Sequence, residues 1–197
     1  MAMSQVSSAS TGPAPAGETL TRRIGKLWER HTAGETLLLP EVVDTLKEYY
    51  QQPHTTMTPL LGLLRLNGKP YNLDRYFPME PLFKLPVPKQ TILKCARQVS
   101  KSTSLSSRGV LHSATFPYLR MLFVTPRYEQ VRKLSTNYVR PFIHDSLFKP
   151  LLIDESCSQA VLQRSFSNQS AMYFSFAFID VDRIRGIACD MINFDEI

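Results

Sequence analysis

The sequence has no run of eighteen apolar residues, so no membrane-crossing helix is expected. Its first residues are mostly Ser, Ala, Thr, Gly and Pro. They carry neither a basic start nor an apolar core, which excludes a secretory signal. Cysteine is scarce. Cys95, Cys157 and Cys189 show no metal-site spacing and leave an odd count, pointing to free thiols in a reducing compartment. Acids are outnumbered, 17 against 23 Lys and Arg, and the resulting +6 is compatible with a nucleic-acid partner without deciding for one. What is present is ample for folding: 197 residues, 43% apolar and 20% charged, suffice for one sizeable α/β domain with a small appendage.

The most informative stretch is Ile92-Leu93-Lys94-Cys95-Ala96-Arg97-Gln98-Val99-Ser100-Lys101-Ser102-Thr103. It reads as a short apolar strand, a tight loop, and a Lys-Ser-Thr that opens a helix. That is the layout of a phosphate-binding loop: backbone N–H groups ring the phosphates, a lysine reaches the terminal ones, and a hydroxyl ligates magnesium. The helix N-terminus adds its partial positive charge. Glycine is missing from both ends of the loop, where Ala96 and Ser100 stand. If Ser100 takes a positive φ, it carries a strain that glycine would not. The plainer alternative is a solvated lysine at a helix start. Against it stands Met191-Ile192-Asn193-Phe194-Asp195-Glu196, an apolar run closing on two carboxylates. Such a strand delivers both acids to the carboxyl edge of a sheet, where ligands bind in doubly wound α/β folds. Asp195 would hold Mg²⁺ through its water shell. Glu196 would orient and deprotonate an attacking water. The alternative there is a surface strand end with two solvated acids.

Residues 1–18 are low in complexity and nearly uncharged, and a disordered tail is expected. Residues 19–70 read as a small helical subdomain. Leu20, Ile24, Leu27 and Trp28 fall at helical spacing, with Arg22, Arg23, Lys26 and Arg30 on the remaining faces. Those cations form either a contact surface for DNA phosphates or a partner, or a solvated face. Pro40 opens a second helix with Val42, Val43, Leu46, Tyr49 and Tyr50 on one stripe. Asn67-Gly68 marks a turn.

Residues 71–197 read as the core. Their first part, dense in proline and aromatics, is expected to be extended, either covering a sheet edge or offering Phe83 or Tyr76 to a purine base. The helix from Lys101 is expected to break or loosen at Gly109. Arg120–Thr125 is a strand stopped by Pro126, and Tyr128, Val131, Leu134 and Tyr138 recur on one helical face. Ala160–Arg164 and Met172–Phe178 read as a hairpin across the Ser167–Ser170 turn. Asp180, Asp182, Arg183 and Arg185 form either part of the site or a solvated loop. His144 beside Asp145 is read as a loop pair and not a catalytic one. Alternating strands and helices at this spacing give an α/β fold with a largely parallel sheet flanked by helices. The sequence stops one residue past the acids, and the core is expected to be incomplete at its C-terminus.

Two further features join these motifs: Arg185-Gly186 shortly before the acids, and the strand-Pro-helix run Leu122-Phe123-Val124-Thr125-Pro126-Arg127-Tyr128-Glu129-Gln130. Together with Ala96-Arg97-Gln98-Val99-Ser100-Lys101-Ser102-Thr103 and the apolar-Asp195-Glu196 motif, they resemble the N-terminal ATPase domain of the large terminase subunit of tailed bacteriophages, over roughly residues 75–197. Family loops often lack the first glycine and carry arginine beside it, as Ala96-Arg97 does. They usually keep glycine before the lysine, where this chain has Ser100.

The resemblance implies a P-loop NTPase core and a motor that hydrolyses ATP with Mg²⁺ to drive double-stranded DNA into a procapsid. It implies a homo-oligomeric ring on the portal protein, a small terminase subunit as partner, no membrane, and residence in the host cytoplasm. Residues Ala96 to Thr103 would then line the nucleotide. Lys101 would contact the β/γ-phosphates, Ser102 would ligate the metal, Thr103 would assist at the phosphates, and Arg97 would be the cis-acting arginine that senses the γ-phosphate. Two rivals remain: a superfamily-two helicase-like motor, and a non-catalytic fragment that binds nucleotide without turning it over.

Overall fold

The computed structural model describes residues 20–35, 42, 44, 45, 49, 56–86, 88–96, 98–147, 149–176, 186 and 188–195. The expected N-terminal tail, most of the helix after Pro40 and the charged stretch around Asp180 to Arg185 lie outside the described residues.

Helix α1 (Leu20–Thr32) turns the expected apolar stripe inward: Ile24, Leu27 and Trp28 are buried. The Trp28 indole N–H donates to the Gly62 carbonyl, and the Arg65 guanidinium lies 3.9 Å above the indole ring. This docks α1 on the 3₁₀ turn Thr58–Leu63. The next two strands, β1 (Arg65–Leu66) and β2 (Lys69–Pro70), pair antiparallel around Asn67 and Gly68, both at positive φ (54° and 76°). That is the geometry the Asn-Gly signal favours in a two-residue hairpin turn.

The proline-rich segment is not simply extended. Phe77–Phe83 coils into a 3₁₀ helix with Pro78 in its first turn and Pro81 inside it. A 3₁₀ turn is short and tolerates proline better than a long α-helix does. Its Phe83 is fully buried, so that ring serves the core and is closed to a base.

The protein is mixed α/β, with a four-stranded, mostly parallel sheet flanked by helices. Strand order is β4-β5-β3-β6, with β3 (Arg120–Thr125), β4 (Gln163–Ser165), β5 (Ala171–Phe176) and β6 (Met191–Phe194). Central β3 pairs parallel with β5 and with β6, Leu122 facing Tyr173 on one side and Ile192 on the other. All but the first residue of β3 are buried, as a strand covered on both faces requires. The hairpin β4–β5 supplies the antiparallel edge, with Gln163 opposite Tyr173.

The apolar run Ile92–Cys95 departs from expectation. It forms no strand, and Ile92 is 92% exposed. An extended run becomes a strand only when a neighbour takes up its N–H and C=O groups. Among the described residues β6 has β3 on one side, and 92–95 joins no ladder.

Helix α2 (Lys101–Thr115) is buried along most of its length and runs unbroken through Gly109. Glycine is there for contact, not for a break. A Cβ at Gly109 would stand 2.8 Å from Phe123 Cζ and 3.0 Å from Met172 Cε, so the bare backbone lets α2 lie directly on β3 and β5. Buried Ser106, one turn earlier on the same face, keeps that surface thin, while Ser104 faces the Tyr71 hydroxyl at 3.5 Å. Beyond β3, helix α3 (Tyr128–Lys133) passes into a π-helical turn over Leu134–Val139 and continues as α4 (Arg140–His144), followed by α5 (Lys149–Leu152). Buried residues from α1, the 3₁₀ turns, α2, α4 and the sheet form one apolar core, with Phe83, Leu111, Phe123 and Phe142 among its fully buried side chains.

Candidate functional site

Two segments far apart in sequence meet at the carboxyl edge of the sheet. Ser102, in the first turn of α2, donates its hydroxyl proton to Asp195 Oδ2 at 3.0 Å, across a separation of 93 residues. Asp195 is set by the sheet itself: it directly follows β6, and its backbone N–H donates to the Val124 carbonyl of β3 at 3.0 Å. The geometry is what a parallel sheet produces when one strand ends on an acid and the adjoining helix begins with a hydroxyl.

The loop leading into α2 is turned inward by two left-handed residues, Gln98 (φ 62°) and Ser100 (φ 61°, ψ 27°). Ser100 sits at the N-cap position, yet its side chain makes no capping hydrogen bond. In the usual cap the backbone is extended and the hydroxyl folds back onto the first turn. The left-handed backbone here does something else. A left-handed residue followed by a helical one aims successive N–H groups into a common concavity, an anion-binding nest. Ser100 carbonyl still accepts the first helical bond, from Ser104 N–H at 2.9 Å. The N–H groups of Lys101, Ser102 and Thr103, at the start of the helix, have no carbonyl one turn back to receive them.

Ala96 and Gln98 are exposed, whereas Val99, Ser100, Lys101, Ser102 and Thr103 are half-buried. The Lys101 ammonium pairs with no carboxylate among the described residues. Arg97 and Glu196 lie outside the described residues, as does Arg185. Gly186 is described, at φ 87°.

Next to the Ser102–Asp195 bond opens a cleft of about 200 Å³, lined by Ser102, Thr125, Gln130, Lys133, Leu134, Tyr138 and Asp195. Sites that enclose a whole small-molecule ligand run to about 300–1,000 Å³, so this cleft is sized for part of one. Five of its residues, Thr125, Gln130, Lys133, Leu134 and Tyr138, are not among the site residues that sequence reasoning singles out. Thr125 ends β3, and the carboxyl-edge rule for parallel strands marks that position. Gln130, Lys133 and Tyr138 share a helical face with Leu134, and the spacing of Leu134 and Tyr138 marks a helix without marking a ligand face.

The far wall is fixed by a buried arginine. Arg164 of β4 is 2% exposed, and its Nη2 donates to the Ser135 carbonyl at 2.9 Å and to Ser135 Oγ at 3.1 Å. Its Nη1 reaches Gln159 Oε1 at 3.3 Å. Burial, and then the nearby Arg140, lower this guanidinium to about 10. Behind the site, on the buried length of α2, His112 is 1% exposed and its Nδ1 has no partner among the described residues. Burial first, then Arg108, push its imidazole down to about 3, so it is neutral at physiological pH.

The oxygens of Ser102 and Asp195 are hard donors with room beside them, which suits a magnesium ion that keeps waters and takes its remaining ligands from a bound phosphate. No family model, curated protein or solved structure matches this chain.

Proposed function

We propose that this chain is a P-loop ATPase, the motor subunit of a viral DNA-packaging terminase that hydrolyses ATP to translocate double-stranded DNA into a procapsid. The observation that carries the nucleotide part of this reading is the Ser102–Asp195 hydrogen bond. It brings a helix-start hydroxyl and a strand-end acid within reach of one ion. The left-handed Ser100 and Lys101, which pairs with no carboxylate among the described residues, support it, since a nest of N–H groups and a neighbouring cation both favour an anion. The motor part rests on the sequence resemblance.

In this reading the N–H groups of residues 100–102 and the Lys101 ammonium bind the β- and γ-phosphates. Ser102 and Asp195 would hold Mg²⁺, which when bound neutralises phosphate charge. Glu196 takes a proton from the attacking water, and Arg97 steadies charge on the γ-phosphate. Thr125, at the end of β3, borders the space where the terminal phosphate would lie.

The test separates binding from turnover. MgATP binding to the wild type should be measurable by calorimetry, and Lys101→Ala should weaken it about tenfold or more, as expected for a lost charge-assisted contact. Equal affinity in that variant would remove the loop assignment. Phosphate release is then followed with and without duplex DNA. Translocation of duplex without strand separation fits a packaging motor, and unwinding would assign a helicase.

A further inference from the structure

The cleft wall formed by α3 and the π turn carries a cation that the proposed mechanism has not used. Lys133 closes α3 and lines the cleft together with Ser102 and Asp195. Its side chain is exposed and pairs with no carboxylate among the described residues. Directly after it the helix widens. The Arg140 N–H donates to the Ser135 carbonyl, five residues back, so the helix takes up an extra residue over Leu134–Val139. Wide turns of this kind are rare and recur at functional sites.

This one is held from outside the helix. Arg164 donates to the Ser135 carbonyl and to its hydroxyl, three contacts in all at 2.9–3.2 Å. The guanidinium has given up its water, and it has no carboxylate among the described residues to compensate it. A buried cation that grips both oxygens of Ser135, and Gln159 on its other side, ties down the π turn and with it the stretch that carries Lys133, Leu134 and Tyr138.

We propose that Lys133 is a second phosphate-binding cation of this cleft, meeting the ligand from the α3 side while Lys101 meets it from the α2 side, with Arg164 as the positioning residue that sets the turn. The inference rests on the nucleotide reading for its ligand class, a polyphosphate. A lysine suits this place: its ammonium is a compact charge on a flexible stem, able to follow a phosphate without planar geometry.

The test titrates MgATP and, separately, magnesium tripolyphosphate into the wild type, Lys101→Ala, Lys133→Ala and Lys133→Arg. Lys133 is exposed, so its substitution should leave thermal stability near that of the wild type. The expected result is about tenfold weaker binding of both ligands by Lys133→Ala, the scale of one charge-assisted contact, with most affinity restored in Lys133→Arg. Wild-type affinity for tripolyphosphate in Lys133→Ala, alongside weakened binding in Lys101→Ala, would overturn the role of Lys133 and leave the nucleotide reading standing. A wild type that binds tripolyphosphate but not ATP would overturn the nucleotide reading, and Lys133 would still be judged on tripolyphosphate. Binding of neither ligand overturns both.

Discussion

Ser100→Gly should stabilise the protein. Ser100 holds φ 61° and ψ 27°, in the centre of the left-handed region, where an L side chain crowds its own carbonyl. Relief of that crowding gains about 1–2 kcal/mol. Against it stands the greater freedom of glycine in the unfolded chain, about 0.4–1 kcal/mol. A serine at a helix start normally brings a third term, a cap worth about 1 kcal/mol. Here that term vanishes, because the Ser100 hydroxyl makes no capping bond. The net is a gain of about 0.5–1 kcal/mol, or about 1–4 °C in melting temperature for a chain of this size. The assay is thermal unfolding followed by circular dichroism, with Ser100→Ala as control. Alanine removes the same hydroxyl but keeps the Cβ, so it should show no gain. If Ser100→Gly melts below the wild type, the hydroxyl is doing work that the geometry does not show. If Ser100→Ala rises equally, backbone relief is not the cause. The loop already has the conformation glycine prefers, so MgATP affinity should hold or tighten in the glycine variant.

Other consequences are equally open to measurement. Gly109→Ala should lower the melting temperature despite the better helix propensity of alanine. That propensity gains about 1 kcal/mol, while a Cβ 2.8 Å from the buried Phe123 ring costs about 1–3 kcal/mol of overpacking; a rise would mean that α2 is free to lift from the sheet. Acid should destabilise the protein through His112. Its folded value near 3 lies below the unfolded 6.5, so the unfolded chain takes the proton first and stability is lost as pH falls from 6.5 toward 3. At pH 5 that loss is about 2 kcal/mol, and His112→Leu should flatten the melting profile between pH 8 and 5; an unchanged slope would shift the cause to other groups. Glu196→Gln should leave MgATP bound and slow phosphate release by about 100-fold or more, as for a lost general base. An unchanged rate, in a chain that turns over ATP, removes that role.

Where one side chain or one neighbour decides, the sequence was readable. Arg120–Thr125 is a strand because five successive side chains are buried, and a continuous apolar run says so. Asn67-Gly68 has a single favoured turn, and the hairpin follows. The motif order puts a hydroxyl at a helix start and Asp195 at a strand end, and the two lie 3.0 Å apart. What was not legible depends on partners elsewhere in the chain. Ile92–Cys95 has strand composition, but composition does not supply the adjacent ladder. Gly109 breaks a helix in isolation and permits one against a sheet, and only the distance to Phe123 tells the two apart. Nothing in Leu134–Val139 announces a π turn, and the buried side chain that grips it, Arg164, stands 29 residues beyond Ser135. Lys133 lines the cleft from the end of α3, a place that no motif marks.

The site therefore depends on how closely one helix approaches one sheet. Asp195 is fixed by β6 and by the Val124 carbonyl, so its position belongs to the sheet. Ser102 belongs to α2. The 3.0 Å between them is set by the packing of α2 on β3 and β5 around Gly109, about two turns along the helix. A helix surface of leucines would hold α2 further from the sheet and leave the hydroxyl short of the acid. Ser106, one turn before Gly109 on the same face, keeps that surface thin at a polar cost. Ser107 returns its hydroxyl to the Ser104 carbonyl, but Ser106 Oγ has no partner among the described residues. An unpaired buried hydroxyl costs about 1–3 kcal/mol, a loss a fold selected for stability alone would remove with alanine. The same reasoning makes Ser106→Ala a discriminating variant. It keeps the thin surface and removes the orphan hydroxyl, so it should stabilise the protein by about 1 kcal/mol or more and leave MgATP affinity unchanged. Weakened binding in that variant would show that the hydroxyl serves the ligand, and closeness of packing would then not suffice to explain the serine-rich helix.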